Sequence, residues 1–207
     1  DFPAVQGSLS VCDLEMLIKR LENRLVSPRE WLRRYEAESL TNEVFLSFDD
    51  GLKEQFDLAL PILENYDVKG NFNIVTGVLE GGRVFTELQR QVRNHYFDSV
   101  DHFYEMFFQF LDNSEQFSPI YRSYVNYDFS RYKAGSPFYT YNDRKYRYYR
   151  DEVFNSYFQK VFEAFIETLG ISWEDVEKGV WMNQDEVKKL DELGHSIGLH
   201  THTHPVD

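Results

Sequence analysis

The continuous run Val44-Phe45-Leu46-Ser47-Phe48 breaks off into Asp49-Asp50-Gly51, and this junction constrains the fold more than any other stretch. The run is too short and too evenly apolar for a surface helix. It reads as a central parallel strand covered on both faces, with the two acids at its C-terminal end. A helix-like segment follows from about Lys53 to Tyr66, with Pro61 as a source of a kink, and Asn71-Phe72-Asn73-Ile74-Val75 reads as the next strand. The three together make a βαβ unit, whose ligand sites lie at the carboxyl ends of the strands.

The far end of the chain supplies a partner for the acids. Asn183-Gln184-Asp185-Glu186 opens a helix with a capping-box pattern, Val187, Leu190 and Leu193 line its apolar face, and Gly194 stops it. His195-Ser196-Ile197-Gly198-Leu199 then reads as a short strand that delivers His200-Thr201-His202-Thr203-His204-Pro205. Four of the six histidines fall from His195 onward, which packing alone does not predict.

A His-x-x-x-His spacing is weak by itself, and spacing does not decide which of His200, His202 and His204 share a ligand. Alternate residues of an extended segment face one way, whereas a turn brings positions four apart together. Asp50 with two neutral imidazoles would give three protein ligands and leave a position open, the pattern of a catalytic rather than a structural zinc site. Such a site suits hydrolysis of an amide or ester, with Asp49 handling protons. The competing reading of the acids is structural: Asp49 caps the next helix and Asp50 is a turn residue.

The remaining chain reads as support. Leu14, Leu17, Ile18, Leu21 and Leu25 form one stripe of a helix starting near Asp13. Ser27-Pro28-Arg29-Glu30 launches a second helix, expected to carry Trp31, Leu32 and Tyr35 inward. From Leu79 to Gly179 the alternation of strands and helices stops, and Phe and Tyr recur at helical spacing: Phe103, Phe107, Phe110 and Leu111, then Phe154 to Leu169, with Gly170 as a stop. These aromatics read as core, with a sugar-stacking wall as the alternative. Arg144, Lys145, Arg147 and Arg150, interleaved with Tyr146, Tyr148 and Tyr149, read as a solvated helix face balanced by Asp143, Asp151 and Glu152, or else as a site for an anionic substrate group.

A net charge of −13 argues against non-specific nucleic-acid binding, and no apolar run is long enough for a membrane span. The single Cys12 forms no internal disulfide and reads as a small, partly buried side chain. With no secretory signal in view the expected location is cytoplasmic, although the start at Asp1 leaves room for an upstream segment.

Ser47-Phe48-Asp49-Asp50-Gly51 resembles the Thr-Phe-Asp-Asp-Gly motif of the polysaccharide deacetylase family, the NodB-homology carbohydrate esterases. His200-Thr201-His202-Thr203-His204-Pro205, preceded by Glu192-Leu193-Gly194-His195-Ser196-Ile197-Gly198, resembles that family's His-Ser/Thr-x-x-His-Pro and its lead-in. The resemblance implies a distorted (β/α) barrel of α/β class, with residues 1–80 and 180–207 as the barrel portion and 81–179 as a helical, aromatic-rich insertion. It implies Asp49 as catalytic base, Asp50, His200 and His204 as metal ligands, Thr201 and Gly51 at the substrate or its loop, and His202 at a variable position. The implied cofactor is a divalent metal, zinc first, with cobalt, nickel or manganese as other fits.

The implied reaction removes acetyl groups from N- or O-acetylated sugars, with water at the metal attacking the acetyl carbonyl and Asp49 as base. Gly135-Ser136-Pro137-Phe138-Tyr139 and Arg147-Tyr148-Tyr149-Arg150-Asp151-Glu152 are similar to segments of deacetylase-like proteins of bacterial surface polysaccharides, so such a polymer or its precursor is the expected partner. The family's later motifs, an arginine-containing loop and a Leu-x-Leu-His whose histidine is the general acid, do not follow His204. The chain is therefore expected to be a portion of a longer enzyme, with exposed aromatic surface favouring homo-oligomers; His95, His102 and His195 read first as partly exposed polar residues and only secondly as substitute acids. Two other readings stand beside the deacetylase: a non-catalytic carbohydrate-binding or assembly protein, and a metal-dependent amidohydrolase acting on a non-sugar amide.

Overall fold

The computed structural model describes residues 9–204, so Pro205 of the histidine motif lies outside the described residues. The chain divides into two compact units, one from residues 9–88 with 177–204 and the other from Gln89–Val176.

In the first unit, α1 (Val11–Leu21) starts at Ser10, whose hydroxyl accepts from the Asp13 N–H while the Asp13 carboxylate accepts from the Ser10 N–H. Asp13 is thus the third residue of the capping box rather than the start of the helix. Cys12, on the same helix, is exposed rather than partly buried. α2 (Pro28–Glu36) begins at Ser27 as expected but buries no residue. Leu32 and Tyr35 are exposed, and only Trp31 turns in, edge-on to Phe45 with its indole N–H donating to the Glu43 carbonyl. Arg34 bridges Glu30 and Glu43, so this short helix is held largely by polar contacts.

The apolar run is not a single central strand. Val44 pairs with Leu25 in an isolated bridge, and only β1 (Ser47–Phe48) enters the sheet, at its edge. The following segment is helical throughout 53–65, as expected: it starts as α-helix at Lys53 and Glu54, widens to a π-helical stretch over Gln55–Ala59, and returns to α-helix as α3 (Leu60–Asn65). Pro61 has no N–H to donate, and the Leu60 N–H reaches back five residues to the Gln55 carbonyl. β2 (Asn71–Ile74) is the central strand.

α4 (Phe85–His95) leads out of this unit, and the second unit is helical: α5 (Val100–Asn113), α6 (Ser118–Ser123), α7 (Tyr141–Tyr148) and α8 (Phe158–Thr168), with α9 (Trp173–Glu177) leading back. Its core is aromatic. Phe103, Tyr104 and Phe107 of α5, Tyr146 of α7 and Phe158, Phe162 and Phe165 of α8 are buried with many edge-to-face ring pairs. The buried tyrosines each find a polar partner: Tyr104 donates to Asp143 (2.5 Å), Tyr146 to Gln89 (2.8 Å) and Tyr149 to the Tyr121 carbonyl (2.8 Å). The basic stretch on α7 is not a solvated face. Lys145 lies over the Phe108 ring at 4.1 Å and donates to the Tyr121 hydroxyl, Arg147 stacks on Tyr139, and Asp143 is buried, its carboxylate closing the capping box with Thr140.

Back in the first unit, α10 (Gln184–Glu192) has the expected Asn183–Glu186 capping box and ends at Gly194 with φ of 86°. β3 (Ser196–Leu199) then pairs in parallel with β2, opposite β1. Phe72, Ile74, Leu63, Met182 and Leu190 form the core beside the sheet, whereas Ile197 and Leu199 at the β3 edge are exposed. The described residues thus hold a three-stranded parallel sheet with helices, an α/β arrangement, and no closed barrel. No helix among them is long and apolar enough to cross a membrane.

His195 is a structural residue of this core. Its side chain is fully buried, Nδ1 accepts from the Gly70 N–H (3.0 Å), and Nε2 therefore carries the proton toward Glu64 Oε1 (3.2 Å). Burial, and then the Lys69 ammonium nearby, hold its pKa below the ordinary 6.5, partly offset by Glu64. The unfolded chain accordingly takes up a proton that the folded chain resists, so this residue's contribution is complete above pH 6.5 and is lost as pH falls toward the folded value. Urea midpoints of wild type and His195→Gln at pH 7 and pH 5 should differ most at pH 7. A gap that widens at pH 5 would contradict this account.

Candidate metal centre

The acids and histidines meet because β2 aligns the ends of β1 and β3. Ser47 and Phe48 sit opposite Asn71 and Phe72, and Asn73 and Ile74 sit opposite Gly198 and Leu199. The residues just beyond the outer strands, Asp49-Asp50 and His200, leave the sheet on the same edge, and the His200 N–H still donates to the Ile74 carbonyl.

Asp50 turns inward because the backbone reverses there. Asp50 and Gly51 both have positive φ, 77° and 70°. Gly51 is buried, and a Cβ at this position would lie 3.1 Å from Ile74 Cδ1. Its carbonyl accepts from the Met182 N–H (2.9 Å), and the Lys53 N–H donates to the Val180 carbonyl (2.9 Å), clamping both sides of Leu52. These are the contacts of Gly51 in this fold, and they hold the acid-bearing turn.

The second turn is built from the histidine segment. Thr201 has φ of 71° and His204 of 48°, and the Thr201 hydroxyl accepts from the His204 N–H (2.9 Å). The Thr76 and Gly77 N–H groups donate to the carbonyls of Thr201 and His202. Thr201 thus folds the loop back so that positions 200 and 204 face the same point, and 202 faces another.

Asp50 Oδ1 lies 3.3 Å from His200 Nε2 and 3.2 Å from His204 Nε2, and the three ligand atoms all fall within 4.8 Å of one another. Asp50 Oδ1 is buried without a hydrogen-bond partner among the described residues, so neither imidazole satisfies it by a well-aligned bond. Ligands at zinc distances in a tetrahedron are separated by about 3.3 Å, which is the spacing from the carboxylate to each imidazole. The donor set of one carboxylate and two imidazoles, with an orphaned oxygen between them, fits a divalent metal. His204 Nδ1, the atom that usually anchors a ligating imidazole, is also buried without a partner among the described residues.

Asp49 takes the other direction. Its Oδ1 accepts from Asn73 Nδ2 (2.7 Å), and its backbone carbonyl accepts from the Gln55 side chain (2.5 Å). Asn73 in turn donates to Ser47 and accepts from Asn71 (2.8 Å), a polar ladder across one face of the sheet. Gly198 leaves room for it, since a Cβ there would sit 2.0 Å from Asn73 Oδ1. The alternation Asn71, Asn73 against Phe72, Ile74 is the sequence signal that could have identified this ladder.

The proposed substitute acids separate clearly. His195 is at the opposite end of β3 and engaged with Gly70 and Glu64, which removes it from the site. His95 and His102 lie in the second unit, where His95 faces the Gln91 carbonyl and His102 packs edge-on to Phe97. His202 is not in the ligand cluster, and its Nδ1 is 3.0 Å from the Thr76 hydroxyl.

No protein-family model, curated protein or solved structure matches the chain.

Zinc titrated into metal-free protein should bind at one equivalent and raise the melting temperature, with about 2.7 kcal/mol of added stability at a hundredfold excess over Kd. Asp50→Asn and His204→Ala should each weaken binding by at least about tenfold. Equal affinity in wild type and both variants, measured by calorimetry, would place the metal elsewhere.

Proposed function

We propose that this chain carries the hydrolytic centre of a metal-dependent deacetylase acting on acetylated sugars, on either N- or O-linked acetyl groups. The observation that carries the reading is the buried, unpartnered Asp50 Oδ1 facing His200 Nε2 and His204 Nε2, with a second carboxylate on the adjacent residue. Resemblance of the two motifs to the polysaccharide deacetylases supplies the substrate class, including its link to bacterial surface polysaccharides, and the (β/α) barrel belongs to the same reading.

A divalent cation bound by Asp50, His200 and His204 would supply polarisation of the acyl carbonyl and acidify water. The chain's own residues do the rest. Asn73 fixes one oxygen of Asp49, leaving Oδ2 without a partner among the described residues and free to take a proton from the attacking water. The Asp50-Gly51 reversal keeps the two adjacent carboxylates apart in role, one satisfied as a ligand and one held as a base. Hydrolysis then yields acetate and the free sugar amine or alcohol.

The test is acetate release from acetylated oligosaccharides by protein stripped of metal and reloaded with zinc. Asp49→Asn should lower kcat by roughly 10²- to 10⁴-fold while zinc stays bound. Gly198→Ala, by displacing the Asn73 amide, should lower kcat less than Asp49→Asn and also retain zinc. Acetate release that persists unchanged without metal, or in Asp49→Asn, would reject the mechanism. Saccharide binding without any acetate release would favour a non-catalytic carbohydrate-binding role.

A further inference from the structure

The middle histidine of the motif, His202, has a different position from its neighbours. The carbonyl of His202 accepts from the Gly77 N–H (3.0 Å), and a Cβ on Gly77 would come within 2.3 Å of that oxygen, so the loop and the turn after β2 are closely apposed. The turn itself is closed by the Gly82 N–H donating to the Gly77 carbonyl (2.8 Å). Between them lies a pocket of about 240 Å³, lined by His202 and Thr203 on one side and by Val78, Glu80, Arg83 and Val84 on the other. It shares the loop that carries both imidazole ligands.

The lining has the chemistry of a polyol site. Val78, half-buried at the rim and backed by the buried Val84, offers apolar surface to the C–H face of a ring. The His202 ring is fixed by Thr76 at Nδ1, and Nε2 has no partner among the described residues. Because the Thr76 hydroxyl can donate or accept, Nε2 can take either role, which matches a hydroxyl and suits an anion or an ammonium less well. Glu80 likewise has no partner among the described residues and can accept from hydroxyls, while Arg83 is neutralised by Glu177 at 2.5 Å. The volume lies below the usual 300–1,000 Å³ of drug-sized sites, which limits the occupant to about one ring.

We propose that this pocket seats one uncharged pyranose ring of the substrate, with His202 as a positioning residue that hydrogen-bonds a ring hydroxyl and Glu80 accepting from the opposite side. The identity of the ligand rests on the deacetylase reading; the pocket and its polar groups do not.

Saturation-transfer NMR on the metal-free chain, with N-acetylglucosamine, N-acetylgalactosamine, N-acetylmannosamine and their disaccharides as probes, tests binding without turnover. At least one probe should bind wild type. His202→Ala and Glu80→Ala should each weaken it by roughly three- to tenfold, and His202→Gln, which keeps a nitrogen near Nε2, should recover most of the loss. In zinc-loaded protein the same His202→Ala should raise KM more than it lowers kcat. No binding of any probe, binding as tight as wild type in both alanine variants, or loss of zinc in His202→Ala would each overturn the proposal. Binding that depends on His202, without acetate release, would uphold the pocket and reject the deacetylase.

Discussion

The parallel pairing of β2 with both of its neighbours is the interaction on which the site depends. Asp50 and His200 are separated by 150 positions and share no local structure. They meet because the strands that precede them run the same way on either side of Asn71–Ile74. Pairing in one register also sorts the side chains by face. Phe48 stacks on Phe72 at 4.8 Å within the core, while Ser47, Asn71, Asn73 and Gly198 form the polar face that reaches Asp49. A shift of one residue in β2 would put Phe72 among the polar groups and Asn73 in the core.

The site is assembled at a local cost that the core offsets. Asp50, Thr201 and His204 are three of the seven non-glycine residues with positive φ among the described residues, so left-handed backbone is concentrated at this edge of the sheet. Each costs on the order of 1–2 kcal/mol, and threonine, being β-branched, is among the poorest residues for it. The orphaned Asp50 oxygen adds the penalty of an unmade bond, about 1–3 kcal/mol. Both features persist because the surrounding turns are fixed elsewhere: Gly51 and Lys53 against residues 180–182, Thr76 and Gly77 against the histidine loop. A site built this way is better satisfied with a cation than without one.

The second unit follows a different logic. Its core is made of rings that interlock edge to face, and the polar ends of its tyrosines are matched individually to Asp143, Gln89 and a backbone carbonyl. Burial raises the pKa of Tyr104 and Tyr149 well above the ordinary phenol value, which keeps these hydroxyls neutral donors across the physiological range. Lys145 is half-buried against Phe108 and Tyr121 rather than paired with a carboxylate, and burial lowers its pKa. The aromatic richness of this segment therefore has a sufficient structural explanation in packing.

Short-range features were legible in the sequence because their causes are local. The capping box at Asn183, the Ser27 cap with Pro28 behind it, the glycine stops at Gly170 and Gly194 and the strand character of Asn71–Ile74 all follow from residue type and spacing. Tertiary structure decided what spacing leaves open. It made β2 rather than β1 the central strand, because strand order depends on Asn71 pairing with Ser196, 125 positions further on. It chose His200 and His204 over His202, because a left-handed Thr201 turns the loop. It assigned His195 to the core, because Gly70 and Glu64 approach it from distant parts of the chain, and it turned Lys145 inward, because aromatic surface from α5 and α6 covers it.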